Sequence, residues 1–339
     1  MSIQLSQYRN QSFEELVAQA QKNQVDNAGH LSPAELVFLL VCQASSQSEE
    51  RPEIQADGLL EILSDGYGFL RSPISYFDAG ADDIYVSPAQ IRRFNLRTGD
   101  WVQGMVRTPR DNERYLALLR IESVNGRSPE KERTRMAFEH QSLATERGFH
   151  ENVLDRVRKG DAVLVRLNQR QHTSDLIFPF IQRSHTTVLT LLNYSVEDVA
   201  VLQRAWSDGI QTGHMLVSKR GAGAQQHLRI LELGRQRVHR LVEQGQDVHW
   251  IVSTANEIAL AACAVQEQQG KSGVLSAGVE VVQSIVAERR DLKTTGSLTL
   301  WLMAHERRSA YQDDLLSQIG FEVHQTVTVQ SDGQIAFPS

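Results

Sequence analysis

Cysteine is nearly absent: Cys42 and Cys263 are the only two in 339 residues. They fall in separate predicted domains, each inside an apolar helical stretch, so no disulfide framework is available and buried free thiols in a reducing compartment are expected. No metal-ligand spacing occurs. His214, His227, His239 and His249 form no HExxH pattern and are read as surface or satisfied core residues. No apolar run reaches the ~18 residues that a membrane-spanning helix needs. The opening MSIQLSQYRNQSFEEL lacks the apolar core of a signal peptide, so a cytoplasmic location and no membrane partner are expected. An excess of basic charge is missing as well, with 35 Lys and Arg against 41 Asp and Glu and a net charge of −6. The molecule as a whole therefore does not attract polyanions, and any nucleic-acid binding has to come from a local site.

What is present is concentrated in Gly58–Val124. Leu59–Leu63, Ile84–Val86, Trp101–Val106 and Tyr115–Ile121 carry the alternation and the β-branched or aromatic content of strands. Asp65-Gly66, Gly80 and Gly99-Asp100 are turn signals between them. Short strands with aromatics, and no room for helices, predict a small barrel of the OB or cold-shock type. Tyr67 and Phe69 are two residues apart, so on a strand both rings share a face, and Arg71 continues it. Two readings stay open. The rings are barrel core, or they form an exposed platform on which bases stack. The flanking Gly66 and Gly68 favour the platform, because core strands rarely use glycine.

The runs DGYGFLRS, DDIYVSPAQIRRFNLRTGD and ERYLALL resemble the RNA-binding domain of bacterial transcription termination factor Rho. The resemblance implies that Tyr67 and Phe69 stack on RNA bases. It also places Arg71, Asp83, Tyr85, Glu113, Arg114 and Tyr115 around a cytosine-preferring pocket. The implied ligand is short, pyrimidine-rich, single-stranded RNA.

Around this barrel the chain divides into a helical subdomain (1–50), the barrel (51–124), a charged linker (125–150) and a final domain (151–339). Ser12 with Glu15, and Ser32 followed by Pro33, mark the starts of the two N-terminal helices. From residue 151, strand-like runs (Ala162–Leu167, Val188–Leu192, Met215–Val217, Val248–Val252, Leu298–Met303, Val323–Val329) alternate with helical ones (Val196–Trp206, Gln225–Glu243, Ala255–Gln268, Val274–Arg289). Such alternation predicts a mostly parallel sheet covered on both faces. The resemblance to Rho continues weakly here and implies a RecA-like domain of the P-loop NTPase type. Arg235, Arg237 and Arg240 are read as a solvated helix face, and Lys219–Ala224 as a surface loop.

A P-loop needs glycines whose N–H groups face the phosphates, a Lys for the outer phosphates and a Ser or Thr for magnesium. No complete GxxxxGK[ST] occurs in the chain. Against the family, Gln171 stands at a glycine and His172 at the lysine, and only Thr173 is kept. Asn193 and Tyr194 stand where the acidic pair of the second strand belongs. Ser253 stands at the magnesium-directing Asp, and Glu257 at a functional Arg. Gly270-Lys271-Ser272 matches only the end of the motif and is read as chance. Loss at several places is hard to reconcile with phosphoryl transfer. The expectation is a pseudo-ATPase without cofactor: a Rho-like RNA-binding protein that regulates, by inhibition, Rho-dependent termination. Its expected partners are C-rich RNA and Rho subunits, with a homo-oligomer compatible with the family. The alternatives are a stand-alone RNA-binding regulator that never touches Rho, and an RNA-stimulated ATPase with unorthodox nucleotide contacts.

Overall fold

Serine hydroxyls open three of the helices in the first part of the chain. Ser12 caps α2 (Phe13–Lys22), Ser32 caps α3 (Pro33–Ser46) and Ser87 caps α4 (Pro88–Phe94), each in a reciprocal capping box with Glu15, Glu35 or Gln90. Each such cap is worth about 1 kcal/mol. The computed structural model describes residues 2–47, 52–145, 157–167, 186–209, 213–252, 255–271, 274–293, 295–305, 325–329 and 335–336. The chain separates into two units, Met1–Arg135 and Met136–Ser339.

In the first unit, β1 (Ser2–Gln4) and α1 (Leu5–Arg9) precede the two capped helices. The barrel strands are β2 (Glu53–Ile62), β3 (Gly68–Arg71), β4 (Ile84–Val86), β5 (Trp101–Arg107) and β6 (Leu116–Val124). Their order is β1-β2-β3-β4-β6-β5, and β5 also pairs with β2, which closes the barrel. β1 joins β2 in parallel. The expectation of no helix inside this stretch was wrong: Ser87-Pro88 with Gln90 three residues on is a complete start signal, and α4 follows it.

The helical subdomain is not a body of its own. Leu16, Leu36, Val37 and Leu40 share one buried cluster with Leu60, Leu70, Ile84, Val86, Val102, Leu116 and Leu118. Polar groups reinforce the join. Arg9 is buried and donates to the Asp82 carboxylate (2.8 Å), the Asp82 carbonyl (3.1 Å) and the Asp57 carbonyl (2.6 Å).

The expected linker 125–150 is divided between the units. Arg135 bonds both carboxylate oxygens of the fully buried Asp100 (2.7 and 2.8 Å) and so packs α5 (Pro129–Glu132) and its neighbours on the barrel. Phe138 belongs to the second unit, stacked on His239 with ring centroids 4.1 Å apart and under the Arg290 guanidinium at 4.8 Å. Its N–H donates to Glu243 at 2.8 Å.

The described strands of the second unit are β7 (Ala162–Leu167), β8 (Thr186–Tyr194), β9 (Gly213–Lys219), β10 (Val248–Val252), β11 (Arg290–Asp291), β12 (Ser297–His305), β13 (Gln325–Val329) and β14 (Ile335–Ala336). Their order is β14-β13-β7-β12-β10-β8-β9, with β11 on β12. The six from β13 to β9 pair in parallel, and β11 and β14 are antiparallel additions. Helices Val196–Gly209, Ala224–Glu243, Ala255–Gln268 and Val274–Val286 alternate with the strands as the periodicity predicted. Helix Ala224–Glu243 lies close on β8: a Cβ at Gly234 would come within 2.3 Å of the Thr190 hydroxyl. Its arginines are not a solvated face. Arg237 and Arg240 are buried, and Arg235 bridges Glu232 (2.7 Å) and Glu288 (2.7 Å). His239 and His249 are buried with partners, the first on Glu288 at 2.9 Å, the second accepting from the Trp301 indole at 3.0 Å. Gly270 ends the helix Ala255–Gln268 at positive φ, the ordinary use of a C-terminal glycine. Both cysteines are half-buried rather than buried, and both are free; burial pushes the Cys42 thiol up to about 11. Among the described residues, no helix is long and apolar enough to cross a membrane.

Breaking a buried ion pair by removing one partner costs about 3–5 kcal/mol. Arg9→Ala is therefore expected to lower the stability of the first unit by that order, read as a drop in its urea midpoint. An unchanged midpoint would show that the apolar cluster alone holds the helices to the barrel.

Candidate nucleic-acid interface

Of the predicted pair, Phe69 lies on the outer face of β3 and Tyr67 immediately precedes that strand. The register puts Phe69 opposite Glu61 on β2 and opposite Tyr85 on β4, and Tyr85 opposite Ala117 on β6. These residues form one row across four strands, while Leu60, Leu70, Ile84 and Leu116 point to the core. Four rings gather there. Phe69 meets Tyr115 (centroids 4.8 Å apart), Tyr67 (5.8 Å) and Tyr85 (6.2 Å), and Tyr67 meets Tyr85 at 5.8 Å.

The rings differ in what they offer. Phe69 is only 8% exposed, whereas Tyr67 and Tyr85 are half-buried and Tyr115 is 39% exposed. Phe69 is thus the centre against which three tyrosines are set, and the tyrosines present the accessible faces. Neither flanking glycine bares a ring. A Cβ at Gly68 would lie 2.8 Å from the Glu61 carbonyl and 2.9 Å from Leu60, so Gly68 lets β3 press on β2 and bares no ring. Gly66 sits at φ +83° and serves the turn.

Arg71 lies under Phe69, its guanidinium 5.0 Å from the ring centroid. It is buried and bonds Glu61 (2.6 Å) and Asp83. It orients the pocket rather than reaching into solvent. Glu61 is the residue that the sequence reading missed. Its signal was a lone carboxylate inside Leu59-Leu60-Glu61-Ile62, on the strand neighbouring Arg71. Asp83 also accepts from the Gly80 N–H at 2.9 Å, and its other oxygen, Oδ1, is buried without a hydrogen-bond partner. Two carboxylates share one guanidinium here, and burial outweighs Arg71 and pushes the Asp83 carboxyl up to about 6. At the rim, Arg107 bonds Glu113 (2.8 Å) and, with the Arg110 N–H, holds its carboxyl down at about 2. Arg114 is exposed and has no ion-pair partner among the described residues. The structure thus brings the four rings together over the buried Arg71–Asp83 pair, holds Glu113 by Arg107 and Arg110, and leaves Arg114 exposed next to Tyr115 in the chain.

Residues 56–130 match the family model for the Rho termination factor RNA-binding domain. Over 341 residues, 93% of this chain and 79% of the relative, the sequence is 33% identical to transcription termination factor Rho of Chromobacterium violaceum. It is 31% identical to that of Neisseria gonorrhoeae over 345 residues, and 31% identical to that of Escherichia coli K12 over 325. The chain belongs to the Rho family. It is a multi-domain member, with an OB-like barrel that matches the family's RNA-binding domain, followed by an α/β domain on a mostly parallel sheet.

Of the positions assigned to a degenerate nucleotide site, Gln171, His172, Thr173 and Ser253 lie outside the described residues. Asn193 and Tyr194 end β8, at the carboxyl edge of the parallel sheet where ligands of such sheets bind. Asn193 takes a left-handed conformation, φ +63°, at a register shift between β8 and β9, and its amide donates to Glu257 at 3.1 Å. Nearby on β9, Ser218 bonds His227 at 2.7 Å. Burial lowers the His227 pKa.

The folded Asp83 carboxyl lies above the ordinary ~3.9 of an unfolded Asp, so the folded unit holds that proton more tightly. Its contribution to stability is complete below about pH 4 and is lost as pH rises through about 6. Asp83→Asn should remove this slope, so that the wild-type urea midpoint falls relative to the variant between those pH values. Parallel curves would mean that Asp83 ionises normally.

Proposed function

We propose that this chain is a catalytically inactive Rho-like protein that binds C-rich single-stranded RNA and restrains Rho-dependent transcription termination. One contrast carries the reading. The base platform is complete from Tyr67 to Tyr115, whereas the sequence has no GxxxxGK[ST] and carries Asn193 and Tyr194 where the family's acidic pair belongs.

For RNA, three half-exposed tyrosines around Phe69 offer flat faces, and base stacking on such faces contributes about 1–3 kcal/mol per base. The partnerless Asp83 Oδ1 is an acceptor that the exocyclic amino group of cytosine would satisfy, and this favours cytosine over uracil. Arg114 supplies a charge for the backbone. Against hydrolysis, the described crevice presents the Asn193–Glu257 pair and a His227 kept neutral by burial. A carboxylate in that place repels a triphosphate, and the sequence offers no lysine at Gln171–Thr173 to counter it. A member that keeps the RNA site and lacks the fuel site acts by occupation: it holds C-rich RNA, or takes a place among authentic Rho subunits and disables its neighbours.

Replacing both Tyr67 and Phe69 with Ala should weaken binding of an oligo-C RNA by a few kcal/mol, measured by fluorescence anisotropy. Full affinity in the double variant would mean that the rings serve only the barrel. In a reconstituted termination reaction, a several-fold excess of this chain over Rho should raise readthrough. Unchanged readthrough together with intact oligo-C binding would leave a stand-alone RNA-binding regulator as the better reading. RNA-stimulated ATP turnover that disappears in Thr173→Ala would overturn the inactive reading itself.

A further inference from the structure

We infer that the RNA track runs past the aromatic platform along β6, and that Leu119, with Ala117 as floor, forms a further base slot. This deepens the RNA-binding reading above and rests on it.

Among the described residues of Glu53–Arg135, only Tyr115 and Leu119 are large apolar side chains with substantial exposure, 39% and 58%. Both stand at one strand. Tyr115 immediately precedes β6, and along the strand Ala117 and Leu119 are the outward positions, while Leu116 and Leu118 enter the core. Ala117 thus places a methyl between two larger apolar groups, the Tyr115 ring on its N-terminal side and Leu119 on its C-terminal side. Ala117 pairs laterally with Tyr85 on β4 and with Arg107 on β5. A base lying on Ala117 would therefore have the Tyr85 ring on one side, a guanidinium on the other and Leu119 as its end wall.

Leu119 is aimed outward by a built feature. The β5–β6 register shifts at this point: Leu118 faces Val106 and Arg120 faces Met105, which leaves Leu119 as the bulged residue. The carbonyls freed by the bulge are taken up by Gln90, whose amide donates to Leu118 O at 2.9 Å and Leu119 O at 3.5 Å. The same Gln90 closes the capping box of α4, so helix start and bulge are held by one side chain. Next to Leu119 the Arg120 side chain is 67% exposed, and its guanidinium bonds Glu122 at 2.9 Å. An apolar end wall, a small floor, the Arg107 guanidinium (paired with Glu113) beside the floor and Arg120 (paired with Glu122) beyond the end wall suit a nucleobase with its phosphate.

The test is a length series of oligo-C RNAs, from two to six nucleotides, titrated into the full chain by fluorescence anisotropy. Leu119→Ala should leave the Kd of the shortest oligonucleotide that binds within twofold, and should weaken those one nucleotide longer and beyond by about fivefold. Leu119→Phe should retain or improve the longer ones. Equal losses at every length would assign Leu119 to the fold of the bulge, and no loss at any length would leave it outside the track; either result overturns the inference. If Leu119→Ala has no effect but Tyr67→Ala still weakens every length, the platform reading survives without the extension. If the wild-type chain binds no oligonucleotide, the RNA-binding reading fails and this inference with it.

Discussion

The Arg71 guanidinium, buried under Phe69 and held between Glu61 and Asp83, is the contact on which the interface depends. A buried charge is tolerated only when paired and hydrogen-bonded. Arg71 meets that condition with carboxylates from two different segments, β2 and the loop before β4. Once it does, three things are fixed together: the depth of Phe69, the position of Asp83 and the approach of Tyr85 to the ring cluster. The tyrosines can then stand half-exposed without collapsing onto one another, because the ring at their centre is anchored from below. A flat apolar surface in water is ordinarily unstable against closure. Here its floor is ionic and its walls are edge-on aromatic contacts, which favour offset geometry over stacking.

The sequence made much of this legible, for reasons that can be stated. Ser12, Ser32 and the strand Ile84–Val86 carry strong local signals, and each appears where the local chemistry places it. In the second unit the strand Val248–Val252 and the helix Ala255–Gln268 have the expected limits, because periodicity over a buried run is a local property. Interactions decided by partners distant in sequence were not legible. Gly68 looks like an opening beside two rings, and only the register with Glu61 shows that it is a point of close strand packing. Arg237 and Arg240 look solvated on a helical wheel and are buried. The stretch 125–150 reads as linker because its charges are plentiful, yet Arg135 finds a deep partner within the first unit and Phe138 one within the second. Charge in a sequence gives no sign of whether its counter-charge is water or a carboxylate 35 residues away.

The carboxyl edge of the second sheet follows a different logic. Asn193 occupies a left-handed position that Asn accepts more readily than most residues, and its side chain is committed to Glu257. The pair is neutral plus anionic, at an edge where parallel sheets usually collect donors and cations for phosphate. Neither residue contributes to the buried cluster of Val188, Leu189, Leu191, Trp250 and Ile251 that holds the sheet together. The strand ends can therefore change while the sheet beneath them keeps its core.

That difference in mechanical role accounts for an asymmetry between the two halves of the chain. In the barrel, ligand-facing groups and structural groups are the same atoms: Phe69 is 8% exposed, and Arg71 and Asp83 are buried ions whose partners would be stranded if either were lost. Substituting them costs folding free energy whatever the protein binds, so they persist for as long as the barrel does. In the α/β domain, Asn193 at the end of β8 and Glu257 in the first turn of the helix Ala255–Gln268 stand apart from the buried core, so replacing them costs little stability. Exposed residues with no structural duty, Arg114 and Leu119 foremost, are where function and mere stability make different demands.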